Sequence, residues 1–283
     1  MTKITLKKLL DQPEIICVPG AYDAWSAKLI EMSGFPAVYM TGYGASASAL
    51  GKPDIGLLTM TEMAKLVSNM AESVSVPVIA DADNGYGSVN NVIRTVQTYE
   101  KAGASAIQLE DQVLPKRCGH MTGKKVIERK DMEAKIRAAV DARKSEDTLI
   151  IARTDARAVI GFDDALERAS AYAAAGADVI FLEAPESIEE MKIVPKIINK
   201  PTLINLIDHG KTPFCTNKEL EEMGYSIAIY PVASLYAITK TLKDFFAYFK
   251  KEGSTKGYPM IDFPKFNEMI GLPEIRDHES KFL

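Results

Sequence analysis

The segment EDQVLPKRCGHMTGKK, Glu110 to Lys125, holds an unusual density of reactive side chains. Lys116, Arg117, Cys118, Gly119, His120, Lys124 and Lys125 follow an apolar run, with little hydrophobic content among them. A thiol beside cations and an imidazole is expected to ionise more readily than a free cysteine, because nearby positive charge stabilises the thiolate. Glycines at 119 and 123 would let such a loop open and close over a site. Zinc is a poor reading, since Cys118 and His120 have no second Cys/His pair at ligand spacing. Cys17 and Cys215 read as small buried hydrophobes, and His209 and His278 as solvated loop residues.

A second group is acidic. In DADNGYG, Asp81 and Asp83 lie two apart and point to one face if a strand continues through them. No Lys-Ser/Thr follows the glycines, as a nucleotide-binding P-loop requires. Other apolar runs also end in polar residues: Thr41-Gly42-Tyr43-Gly44, Glu110-Asp111, Arg153-Thr154-Asp155, Glu183 and Asn205. Burying such charges is costly unless they are paired or metal-bound. Arg153 alone cannot balance these acids, and a divalent cation would resolve the surplus. Oxygen donors with room for water suit Mg²⁺, with Mn²⁺ as a substitute. The alternative is a ring of structural ion pairs around Arg153.

The elements that must position these residues are visible as a weak repeat. Helical stretches end at Gly34, Gly103, Gly176 and Gly224, and an apolar run begins within a few residues of each. Glycine suits a left-handed helix C-cap because it has no Cβ to clash. With EIICVPG, VPVIADAD, DTLIIARTD and KPTLINLI, the runs number eight. They are short and rich in Ile, Val and Leu, as strands buried on both faces are. Between them, 88–101, 131–143, 162–175 and 232–251 read as helices. Alternation of this kind predicts a parallel sheet with right-handed crossovers, most simply a (β/α)8 barrel of the TIM type. A doubly wound open sheet is the alternative. Such barrels carry their chemistry at the C-terminal strand ends, where the polar residues fall. Residues 1–283 read as one domain, with a C-terminal helical extension from about 258 that packs on the barrel or on a neighbouring subunit.

Composition restricts the partners. The net charge is −4 with Lys and Arg scattered, so there is no electrostatic footprint for nucleic acid or anionic membrane. The start shows no signal-peptide pattern, and the longest nearly apolar stretch, 226–239, is too short to span a bilayer. Three widely spaced cysteines suggest reduced thiols and a cytoplasmic home.

The motifs GAYDAWSA, TGYGASASALGKPDIGLLT, DADNGYG, LEDQVLPKRCGH, ARTDAR and LEAP occur here in this order. Together they resemble the isocitrate lyase and phosphoenolpyruvate mutase superfamily, in its cysteine-bearing lyase branch. The resemblance covers most of the chain and implies a barrel assembled as a homotetramer with exchanged C-terminal helices. It implies that Asp81, Asp83 and Glu110 hold Mg²⁺ largely through water, with Asp54 and Lys116 at the rim. Thr41, Gly42 and Tyr43 would bind a carboxylate, Arg153 the substrate, and Glu183 and Asn205 would complete the pocket. Cys118 would act as the acid/base, tuned by His120 and Arg117, with Gly119 beside it. The implied reaction is retro-aldol cleavage of a 2-hydroxy dicarboxylate to a 2-oxo acid and a carboxylic acid. Tyr43 is the candidate to remove the hydroxyl proton. Leu206 and Ile207 after Asn205 suit an alkyl group better than a third carboxylate, favouring 2-alkylmalates such as 2,3-dimethylmalate. 2-Methylisocitrate cleavage and oxaloacetate hydrolysis are the alternatives within the class; phosphonate-forming mutases lack the Cys-Gly-His loop. Outside the class stand a non-catalytic binding protein on the same barrel and a lysine Schiff-base aldolase. The latter would need a lysine within an apolar run, and none of the runs holds one.

Overall fold

Eight parallel strands close into a barrel in sequence order, the first pairing with the last. The computed structural model describes residues 4–119, 121 and 123–283, so the His120 expectation falls outside the described residues. The barrel part begins with α1 (Leu6–Leu10), β1 (Ile16–Ala21), α2 (Ala24–Met32), β2 (Val38–Met40), α3 (Gly42–Leu50) and α4 (Met60–Ser73). It continues with β3 (Val78–Asp81), α5 (Val89–Lys101), β4 (Ala106–Glu110), α6 (Arg129–Ala142) and β5 (Leu149–Thr154). Then come α7 (Arg157–Ile160), α8 (Phe162–Ala174), β6 (Val179–Leu182), α9 (Ile188–Ile197), β7 (Thr202–Asn205), α10 (Asn217–Met223) and β8 (Ile227–Tyr230). The repeat glycines take the backbone expected of them: Gly34, Gly103, Gly176 and Gly224 all have φ between 86° and 109°.

Side-chain alternation divides the core into two layers. Ile16, Val18, Tyr39, Ile79, Leu149, Ile151, Val179, Phe181, Leu203, Ile227 and Ile229 form one buried cluster, joined by Leu6 of α1. Their neighbours Val38, Ala80, Ile107, Ile150, Ala152, Ile180, Ile204 and Ala228 belong to the other, packed with helix residues such as Val67, Val96, Ile136 and Ala169. The inward register carries on past the apolar plug. Two residues beyond Ile79 comes Asp81, beyond Ile151 Arg153, beyond Phe181 Glu183, and beyond Leu203 Asn205. Polarity therefore switches along each strand without a change of face.

Contacts divide the chain into residues up to Tyr236 and Ala237–Leu283. Helix α11 (Ala233–Glu252) starts in the first unit and runs into the second, which also holds α12 (Phe263–Met269) and α13 (Leu272–Glu279). Within the second unit Phe245 packs edge-on against Tyr258 at 5.1 Å, and the Tyr248 hydroxyl donates to the Lys256 carbonyl at 2.6 Å.

Candidate active site

A cleft opens at the C-terminal end of the barrel. It is lined by Thr41, Tyr43, Asp54, Asp81, Glu110, Lys116, Arg117, Cys118, Gly119, Arg153, Glu183 and Asn205, all named from the sequence. Gly42 stands just behind: its N–H faces Asp81 Oδ2 at 3.3 Å, and a Cβ there would lie 2.6 Å from that oxygen. Thr41 leaves β2 and at once caps α3, its hydroxyl accepting from Gly44 N at 3.3 Å. The tightness of this strand-to-helix turn is what presents residues 41–43 to the cleft.

Asp81 and Asp83 come together by a different route from the one expected. β3 ends at Asp81, and Asp83 has φ 48°, in the left-handed region. The strand does not continue through both; a turn folds Asp83 back, and its N–H donates to Asp81 Oδ1 at 3.1 Å. A short polar side chain tolerates that backbone, and its cost marks a functional turn.

The charge balance also differs. Lys116, which the resemblance puts at the rim of the pocket, lines the cleft with a side chain only 3% exposed. Its ammonium lies 2.8 Å from both Asp54 oxygens and 2.6 Å from Asp83 Oδ1. Burial alone would favour the neutral amine, but Asp83, Asp54 and Asp81 hold Lys116 well above its ordinary range. A lysine so firmly protonated makes a poor Schiff-base nucleophile. Arg153 therefore does not face the acids alone: Lys116, Lys124 and Arg168 are buried among them. Carboxylates still outnumber cations along the cleft, with Asp54, Asp81, Glu110 and Glu183 beside Lys116, Arg117 and Arg153.

Burial pushes the Asp83 carboxyl up to about 6, against the pull of Lys116 and with the repulsion of Asp81 and Asp54. Glu110 is held well above the usual carboxylate range by burial, Arg153 pulling the other way. Its Oε1 is buried without a hydrogen-bond partner. Such an acceptor is costly unless a donor or cation meets it. The donor set is all oxygen, which suits a hard cation. Among the described residues no three His, Cys, Asp or Glu side chains stand close enough to ligate a metal directly. An ion fitted here would keep water between itself and the carboxylates.

Arg153 is fixed from several sides. Nε and Nη2 donate to Asp155 at 2.9 and 3.1 Å, Glu110 and Glu183 each lie at 3.5 Å, and the guanidinium stands 5.1 Å above the Phe181 ring. The Cys118 segment is pinned as well. Gln112 accepts from Arg117 N at 2.9 Å and donates to Arg117 O at 2.8 Å, while Cys118 N donates to the Asp54 carbonyl at 3.3 Å. Nothing in the sequence pattern singled out Gln112. Tyr43 shares a side-chain hydrogen bond with Tyr236, a partner equally invisible from spacing.

The apolar wall needs one correction. Ile207 lines the cleft, but Leu206 is buried in the layer between barrel and helices. Alternation explains it: Asn205 faces inward, so Leu206 must face out. Ile229, Pro231 and Val232 at the end of β8 complete the wall and went unnamed in the sequence reading.

The sequence profile of the phosphoenolpyruvate phosphomutase family matches residues 6–249. The chain belongs to this family. Over 283 residues it is 50% identical to 2,3-dimethylmalate lyase of Eubacterium barkeri, covering 99% of this chain and 98% of the relative. It is 45% identical to 2-methylisocitrate lyase of Aeropyrum pernix over 98% of this chain and 90% of that one. Among solved structures, a 2,3-dimethylmalate lyase described as a PEP mutase/isocitrate lyase superfamily member superposes with a TM-score of 0.93 at 36% identity, covering 97% and 93% of the two chains. Phosphonopyruvate hydrolase in complex with oxalate and Mg²⁺ superposes at 0.89 with 28% identity, covering 98% and 97%. The chain is thus an enzyme of the PEP mutase/isocitrate lyase superfamily, with lyases among its relatives. No helix among its described residues is long and apolar enough to cross a membrane.

Proposed function

We propose that this chain is a Mg²⁺-dependent carbon–carbon lyase that cleaves a 2-alkylmalate, such as 2,3-dimethylmalate, to a 2-oxo acid and a carboxylic acid. One observation carries the reading: a single cleft joins Arg153, Cys118 and the acid cluster to an apolar wall of Ile207, Ile229, Pro231 and Val232. Asp81, Asp83 and Glu110 would hold the cation largely through water, and Mn²⁺ would substitute. Bound there, the ion would supply Lewis-acid stabilisation of the negative charge that develops on the substrate oxygens.

The side chains divide the remaining work. Thr41, Gly42 and Tyr43 bind the carboxylate of the 2-oxo-acid half at the start of α3. Tyr43, as the phenolate, takes the hydroxyl proton as the C2–C3 bond breaks. The bonding pair passes to the other half, which leaves as the enediolate of a carboxylate. Arg153 offsets the charge growing on that half. Cys118 then protonates its carbon. Asp54, Lys116, Glu183 and Asn205 complete the pocket, and Arg117 flanks the thiol. Phosphonate-forming chemistry is disfavoured by the Cys-Gly-His loop. A binding-only role has less support, because the reactive side chains are all retained.

The apolar wall supports alkylmalates over 2-methylisocitrate, since a third carboxylate would be buried there without a partner. A screen of 2-oxo-acid release with Mg²⁺ tests this. We expect kcat/KM for 2,3-dimethylmalate to exceed that for 2-methylisocitrate by roughly tenfold or more, and excess chelator to abolish turnover. Equal turnover of 2-methylisocitrate would transfer the assignment to the alternative lyase, and full turnover in chelator would remove the metal. We further propose a cytoplasmic homotetramer with the barrel as its one catalytic domain. The exposed apolar side chains of Phe263, Ile275 and Phe282 support contact of the C-terminal helices with another copy.

A further inference from the structure

Lys124 lies in the same loop as Cys118 but has no place in the chemistry above. Its side chain is 2% exposed, unusual for a loop lysine, and its surroundings account for the burial. The ammonium donates to Asp155 Oδ1 at 2.7 Å and also to the carbonyl of Gly119. Asp155 is wholly buried, and its carboxylate accepts the two-pronged hydrogen bond of Arg153. One ammonium therefore joins the residue after Cys118 to the carboxylate that orients Arg153.

A second observation points the same way. A Cβ built on Gly119 would collide with Glu183 Oε1 and with Arg153 Nη2. The Gly119 backbone is thus seated directly on the Arg153–Glu183 pair, too close for a side chain to stand between them. Asp155 is anchored in turn, its N–H donating to Asp111 Oδ1 at 2.9 Å. Asp111 also accepts from Thr154 and Tyr172, at 2.7 and 2.9 Å. The far end of the loop meets the same residue: Ile127 N donates to the Asp111 backbone carbonyl, and Arg168 bridges the Asp111 carboxylate to the Ile127 carbonyl.

We propose that Lys124 is a positioning residue, a charged latch that seats the Cys118–Gly119 segment over Arg153 through Asp155. It touches no reacting atom. Its effect is to make the proton donor and the substrate-binding guanidinium one unit, so that neither is in place without the other. A buried charge pair suits this task because its attraction is strong at contact and falls away once the segment lifts and water enters.

Alkylation of Cys118 by iodoacetamide, followed by peptide mapping, tests the latch in the full-length protein, with Cys17 and Cys215 as internal references. The rate is taken across a pH series. Its limiting value at high pH reports access to the thiol, and its midpoint reports the local charge. In Lys124→Met the limiting rate at Cys118 should rise roughly tenfold, with the references unchanged, because the segment is no longer held. Lys124→Arg should restore most of the protection. If Lys124→Met fails to fold, Lys124→Gln keeps a donor for the Gly119 carbonyl without the charge and should show an intermediate rise. In the kinetic arm, which rests on the lyase reading, Lys124→Met should lower kcat roughly a hundredfold with a smaller change in KM. An unchanged limiting rate at Cys118 in every folded variant overturns the latch. Absence of lyase turnover in the parent protein would overturn the proposed reaction and leave the alkylation result to judge the latch alone.

Discussion

At the N-terminal end of the barrel, Leu6 of α1 closes a plug of Ile16, Val18, Leu149, Ile151, Val179, Leu203 and Ile227. At the C-terminal end the same strands deliver Asp81, Glu110, Arg153, Glu183 and Asn205 into a cleft. Both ends use inward positions of one register, separated by only two or four residues. The lower end gains stability from apolar burial and asks nothing of geometry beyond close packing. The upper end buries ions whose desolvation is offset only by contacts such as Lys116 with Asp54 and Asp83. In this barrel stability and chemistry are therefore separable along a strand, although they share its backbone.

That separation can be broken by experiment. The largest effect is expected from Leu6→Ala, which opens a cavity beneath the plug and should cost about 2–5 kcal/mol of unfolding free energy. Because the cleft lies at the opposite end, kcat/KM of the folded fraction should hold within about twofold. Chemical denaturation paired with kinetics measures both, and a parallel fall in kcat/KM would mean that the two ends are coupled. Cys118→Ser is the converse. It should lose roughly a hundredfold or more in kcat, about 2.7 kcal/mol of activation barrier, while the denaturation midpoint stays put. A serine variant at the normal rate would make the cysteine structural.

The smallest effect refines the comparison within the lower end. Glu100 of α5 accepts from Lys144 N and Ser145 N at 2.9–3.0 Å and from the Thr148 hydroxyl at 2.9 Å, fastening the chain that enters β5. Burial is the largest single influence and opposes its ionisation, but these donors together hold its carboxyl below the usual range. A depressed folded-state pKa stabilises the protein above the unfolded value of about 4.3, and that contribution is lost as pH falls through the folded value. Glu100→Gln should therefore lower Tm slightly at neutral pH, with the difference from the parent vanishing in acid. A difference that persists well below pH 4 would assign the effect to packing.

Much of this was legible in the sequence. Eight short apolar runs and four capping glycines are local signals, so strand count and closure could be read without tertiary information. The polar ends were readable for the same reason, because two-residue alternation does not depend on the rest of the fold. What escaped depended on contacts between distant segments. Lys116 sits in a polar loop, and its burial depends on the approach of Asp54, sixty-two residues earlier, and of Asp83. Nothing in DAD announces the positive φ that takes Asp83 out of the strand. Gln112 is an ordinary glutamine until its amide is found paired with the Arg117 backbone. Leu206 was a different failure: alternation from Asn205 already pointed it outward.

The opposite fates of Leu206 and Ile207 bear on how such a gene could diverge. Two neighbouring codons answer to different demands, one to the helix layer and the next to whatever molecule fills the cleft. After a duplication, changes at 207 could retune the diet of one copy while its heat tolerance stayed level, whereas a change at 206 would be purged for instability first. Lineages built on this barrel should therefore explore new nutrients by single steps at its rim, with no rebuilding of what lies beneath.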